Sequence, residues 1–119
     1  MRTSRLKVNQ SLENTITKML AQLICDIKKP QEALTFLKDF LSESELEILS
    51  KRLAVAYWLK KERSYANIKT NLKVSSATIA AVQGMMKREG FVYAIKRIEA
   101  EEWANVWAEK IRGITKKLS

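Results

Sequence analysis

The side chains with the clearest chemical potential lie between Lys60 and Arg88. Three hydroxyls, on Ser75, Ser76 and Thr78, alternate with the methyls of Ala77, Ala80 and Ala81. Around them stand Lys60, Lys61, Arg63, Lys69, Lys73, Lys87 and Arg88. Hydroxyls exchange single hydrogen bonds, and cations at this density attract polyanions. The acids and lysines of the chain form no catalytic constellation, so the chemistry on offer is recognition rather than bond-making.

The remaining composition narrows the choice further. The chain has 119 residues, no His and one Cys, Cys25. A zinc site, a Cys–His nucleophile, a Ser–His triad and a disulfide framework are therefore closed to it. Three glycines, at 84, 90 and 113, cannot furnish a phosphate-cradling loop. Glu101 and Glu102 are adjacent and diverge on a helix, which makes them a poor catalytic pair. No enzymatic activity, metal or cofactor is expected. No apolar run approaches the roughly 20 residues that cross a bilayer, and MRTSRLKVNQ lacks the apolar core of a signal peptide. The expectation is a cytoplasmic protein with no membrane partner. Apolar residues at 46% and charged residues at 29% suit a folded globular chain rather than a disordered one.

The net charge of +9 is unevenly spread. Residues 1–10 form a basic arm with Arg2, Arg5 and Lys7. Residues 11–47 hold four lysines against seven acids, and residues 89–119 hold six cations against five acids. Residues 48–88 carry nine cations against Glu62 alone. Clustering of this kind favours a polyanionic partner, because each neutralised phosphate releases counterions.

Apolar spacing predicts an all-α chain of five to six helices. Leu12, Ile16, Met19, Leu20, Leu23, Ile24 and Ile27 make an amphipathic stripe over 11–27. Pro30 ends that helix and suits the first turn of the next, which runs from Gln31 to Phe40. Ser42 and Glu45 form a capping box for a third helix over 43–61, apolar on two sides and so placed centrally or between two subunits. The main helical domain covers 11–90.

The run 64–88 reads as a helix-turn-helix. Ser64 caps a first helix from Tyr65 to Asn71, and Leu72-Lys73-Val74 makes the turn. Ser75 caps a second helix that runs to about Arg88, with Gly90 ending it. The positions such a motif buries are Ile68, Leu72, Val74, Ile79 and Val82, all apolar. In this geometry the second helix enters the major groove of duplex DNA. The base-facing set is then Ser75, Ser76, Ala77, Thr78, Ala80 and Ala81, and Gln83 stands a turn further along, facing either the groove or its edge. The phosphate-positioning set is Lys60, Lys61, Arg63, Lys69, Lys73, Lys87 and Arg88.

The run LSESELEILSKRLAVAYWLKKERSYANIKTNLKVSSATIAAV resembles the core of the Trp repressor-like superfamily. Shared features are the capping box, the long helix, the helix-turn-helix with an A-T-I core in its second helix, and Lys69 at the fifth motif position. The resemblance spans about 40–90. It implies an intertwined homodimer that binds a palindromic operator and regulates transcription, most simply as a repressor. It also exposes departures. The family clamps a tryptophan corepressor between two arginines; Arg52 stands at the first position, where it could serve an effector or an ion pair, but Ala81 stands at the second. The glycine that follows in the family is Val82 here, and the turn glycine is Lys73. No tryptophan response is expected, because one charge-assisted clamp worth about 1.5–3 kcal/mol is missing.

Residues 91–119 read as one long helix with Phe91, Ile95, Ile98, Trp103, Val106, Trp107, Ile111, Ile114 and Leu118 on a stripe, weakened near its end by Gly113. Arg97 can pair with Glu101 one turn on. The stripe fits packing on the core or a dimer interface; the two tryptophans could also line a small-molecule pocket. The alternatives to DNA binding are a helical protein-interaction module and an RNA-binding domain with a basic face.

Overall fold

A computed structural model describes residues 6–118, with side chains described as far as Asn105 and again at Glu109. Arg2 and Arg5 of the basic arm, and the side chains of Val106, Trp107, Ile111, Ile114 and Leu118, lie outside the described residues. The described residues form six helices and no strand: α1 (Gln10–Asp26), α2 (Pro30–Phe40), α3 (Glu43–Lys60), α4 (Tyr65–Leu72), α5 (Ser76–Gln83) and α6 (Glu89–Leu118). The chain divides into two compact units, Met1–Leu46 and Glu47–Ser119.

In the first unit, local signals set the helix ends. Asn9 caps α1 by accepting the Leu12 amide at 2.8 Å. Pro30 occupies the first turn of α2, where its missing N–H is harmless. The capping box is reciprocal: the Ser42 amide donates to Glu45 Oε1 at 2.8 Å, and the Glu45 amide donates to Ser42 Oγ at 3.1 Å. Those contacts hold the Glu45 carboxyl below the usual carboxylate range, the Ser42 amide foremost. Neither α1 nor α2 buries a residue, and Leu12, Ile16, Met19, Leu20, Leu23 and Ile24 are all exposed.

The second unit has a core. Val55 and Ala56 of α3, Ile68 of α4, Ile79 and Val82 of α5 and Ile95 of α6 are buried, with Trp58, Leu59, Leu72, Val74, Met86 and Phe91 packed around them. Burying each large aliphatic side chain stabilises by about 1.5–3 kcal/mol, so this cluster is what fixes α4 and α5 on their scaffold. All five expected motif positions face it.

The second helix of the motif is shorter than its spacing suggests. It stops at Gln83, with Gly84 as its C-cap, and tight bonds follow from Met85 N to Val82 O at 2.9 Å and from Arg88 N to Met85 O at 3.0 Å. Gly84 has the weakest helix preference after proline, and ending there lets Met86 turn inward onto the core. Gly90 accordingly belongs to the first turn of α6 rather than to the end of α5.

Candidate nucleic-acid interface

The end of α3 and the turn between α4 and α5 set the direction of the motif, and each uses a left-handed residue that is not glycine. Glu62 (φ 62°) closes α3, with the Arg63 amide reaching back to Trp58 O at 3.1 Å and the Glu62 amide to Leu59 O at 2.9 Å. Lys73 (φ 56°, ψ 49°) closes α4. The left-handed turn is thus kept although its glycine is replaced, at a strain of about 1 kcal/mol. Lys51 Nζ of α3 reaches the Lys73 carbonyl at 3.5 Å and also pairs with Glu47 at 2.8 Å. The Lys51 ammonium holds the Glu47 carboxyl below its ordinary range.

Hydroxyl caps begin both helices. Ser64 Oγ accepts the Asn67 amide and Ser75 Oγ accepts the Thr78 amide, each at 3.1 Å. Thr78 Oγ1 lies 2.9 Å from Ser75 Oγ, so these two expected base-facing hydroxyls engage each other. With Ile79 and Val82 turned into the core, Ser76, Ala77, Thr78, Ala80 and Ala81 are left exposed on the outer side of α5. Ser75 is exposed beside them as the cap.

The expected phosphate-positioning cations Lys60, Lys61, Arg63, Lys69, Lys73, Lys87 and Arg88 are all exposed, as is Arg52. Two of them are organised by neighbours. The Arg63 guanidinium stacks 4.1 Å from the Trp58 ring centre and donates to Asn67 Oδ1 at 3.3 Å. Lys61 pairs with Glu102 of α6 at 3.3 Å, and the Tyr57 hydroxyl donates to the same carboxylate. The bond to Glu102 raises the pKa of both Tyr57 and Lys61, while the Tyr57 hydroxyl, then Lys61, lowers that of Glu102. This clasp ties α6 to the end of α3. Further along, Arg97 lies 6.0 Å from the Tyr93 ring centre. Shallow grooves on the second unit are lined by Glu101, Glu102 and Glu109 in one case and by Lys61, Glu99, Glu102 and Trp103 in the other.

Several of these contacts were not expected from the sequence. The Glu47–Lys51 pair carries a visible four-residue spacing. The Tyr57–Glu102 and Tyr65–Gln83 hydrogen bonds join residues far apart in the chain and have no sequence signal.

Fold and site together define an all-α helix-turn-helix protein. The model of the Trp repressor protein family matches residues 15–99, so the chain belongs to the Trp repressor family, a family of helix-turn-helix transcription regulators. A crystal structure of a provisionally assigned Trp repressor from Staphylococcus aureus is similar in fold, with a TM-score of 0.67 at 24% identity, covering 77% of this chain and 96% of that one. No curated protein matches the chain. No helix among the described residues is long and apolar enough to cross a membrane.

Proposed function

We propose that this chain is a cytoplasmic DNA-binding repressor that acts as a homodimer, inserting the start of α5 into the major groove of a palindromic operator. The observation that carries this reading is a helix seated on the core by Ile79 and Val82 with its leading residues exposed between clustered cations. Ser76, Thr78 and the cap Ser75 supply hydroxyls, and Ala77, Ala80 and Ala81 supply methyls small enough for the helix to sit deep. Lys60, Lys61, Arg63, Lys69, Lys73, Lys87 and Arg88 set register on the phosphates without reading sequence. The exposed stripe of α1 supports the dimer, since so many apolar side chains need a partner surface.

Tryptophan is not the effector. Ala81 offers no second guanidinium opposite Arg52, and Val82, 3% exposed, fills core space that a glycine would leave open. Arg52 serves as a phosphate contact or ion-pair residue instead.

Selection from a random duplex library by gel shift, with single-stranded RNA as competitor, tests the proposal. Enrichment of a two-fold symmetric site resisting RNA competition is expected. Preference for RNA, or no retention of either nucleic acid, would overturn it.

A further inference from the structure

Tyr65 opens α4 and Gln83 closes α5, and the Tyr65 hydroxyl donates a hydrogen bond to Gln83 Oε1. Both residues are exposed, so the bond bridges the two helices on the outside of the motif. Gln83 is also the one residue of α5 (SATIAAVQ) with an amide or cationic side chain. At 100° per residue it falls on the flank of α5 beside Ser76, well round from Ala77 and Ala81 at the centre of the exposed face.

The bond decides what this amide can do. With one lone pair of its oxygen taken by Tyr65, Gln83 keeps both N–H donors on Nε2 open, and the bond sets the plane of the amide. Reading adenine takes the oxygen and the nitrogen of one amide together, facing the bases, whereas Gln83 turns its oxygen toward Tyr65 on the flank. Open N–H donors suit an acceptor oxygen, and the flank that bears them is drawn toward the start of α4, the helix that crosses the DNA backbone in a helix-turn-helix.

Resting on the DNA-binding reading above, we propose that Tyr65 and Gln83 act as one preset phosphate anchor. Gln83 Nε2 donates to a backbone phosphate, and Tyr65 is a positioning residue that orients the amide. A neutral donor displaces no counterion, so the anchor adds affinity without adding to the salt dependence, unlike Lys69 or Lys87.

The test uses the full chain and fluorescence anisotropy with two labelled mixed-sequence duplexes, one A·T-rich and one G·C-rich. The variants are Gln83→Met, which keeps side-chain length without donors, Tyr65→Phe, and the two combined. Gln83→Met should weaken binding by about five- to tenfold on both duplexes, and Tyr65→Phe by about two- to threefold. The double variant should bind no more weakly than Gln83→Met alone, because the tyrosine acts only through the amide. Melting temperature and salt slope should stay at wild-type values. Wild-type binding with unaffected variants, multiplying losses in the double variant, or a loss confined to one duplex would overturn the anchor while leaving the DNA-binding reading intact. Failure of the wild type to bind either duplex would overturn both together.

Discussion

The two units of this chain spend their apolar residues in opposite ways. From Glu47 onward, six side chains from four helices meet in a closed core. Up to Leu46, α1 and α2 bury none, although α1 carries six large apolar residues at helical spacing. The second unit holds its shape by internal packing and clusters cations around α4 and α5, although Ile48, Leu49 and Leu53 of α3 stay exposed. The first has helices with apolar faces that look for another surface. A helix is specified by local signals, but its burial is not, and here the two requirements separate along one chain.

That contrast can be broken or sharpened by substitution. The largest effect is expected in the closed core: Ile68→Ala or Ile79→Ala should lower stability by about 2–5 kcal/mol in urea denaturation, equally at all protein concentrations. Next, the proposed dimer predicts that the wild type sediments as two copies and that Leu20→Asp on α1 leaves a monomer, with no dependence of melting temperature on concentration and the core of the second unit still folded. A Leu20→Asp variant that still sediments as the dimer would show that this stripe is not the subunit contact. Smaller and opposite in sign, Glu62→Gly and Lys73→Gly should each stabilise by about 1 kcal/mol by relieving a left-handed backbone. No gain at either position would mean the turns carry no such strain.

The smallest effects concern pH. Glu45 titrates below its ordinary range, so the capping box contributes stability above that range and loses it as pH falls through the depressed value. Tyr57 and Lys61 titrate above and Glu102 below their ordinary ranges, so the clasp contributes between those ranges and is lost both as pH rises through the raised values and as it falls through the depressed one. Glu102→Gln should flatten the alkaline limb of a stability–pH profile and leave the acid-side loss at Glu45 in place.

Much of the motif was legible from its residues. Ser42, Ser64 and Ser75 are capping residues that act within three positions of themselves, and Ile68, Leu72, Val74, Ile79 and Val82 follow a fixed buried pattern, so local spacing sufficed. The end of α5 was not legible, because Gly84 competes with a continuing apolar pattern through Met85 and Met86, and tertiary packing of Met86 decides the outcome. The Thr78 hydroxyl reads as free in sequence, yet the same cap geometry that made Ser75 recognisable brings Thr78 Oγ1 to it. Contacts between distant positions, such as Lys51 with the Lys73 carbonyl, depend on how α3 lies against the turn and leave no periodic trace.

On the proposed reading α5 contacts bases while the surrounding cations contact phosphates, and salt dependence separates the two roles. Duplex affinity is followed by anisotropy against salt concentration for wild type, Lys69→Ala, Lys87→Ala, Ser76→Ala and Thr78→Ala, on the selected site and on an unrelated duplex. The two lysine variants should weaken both duplexes alike and reduce the slope of log affinity against log salt by about one. The two hydroxyl variants should keep the slope and narrow the gap between the duplexes. Identical behaviour of the two pairs would contradict the account.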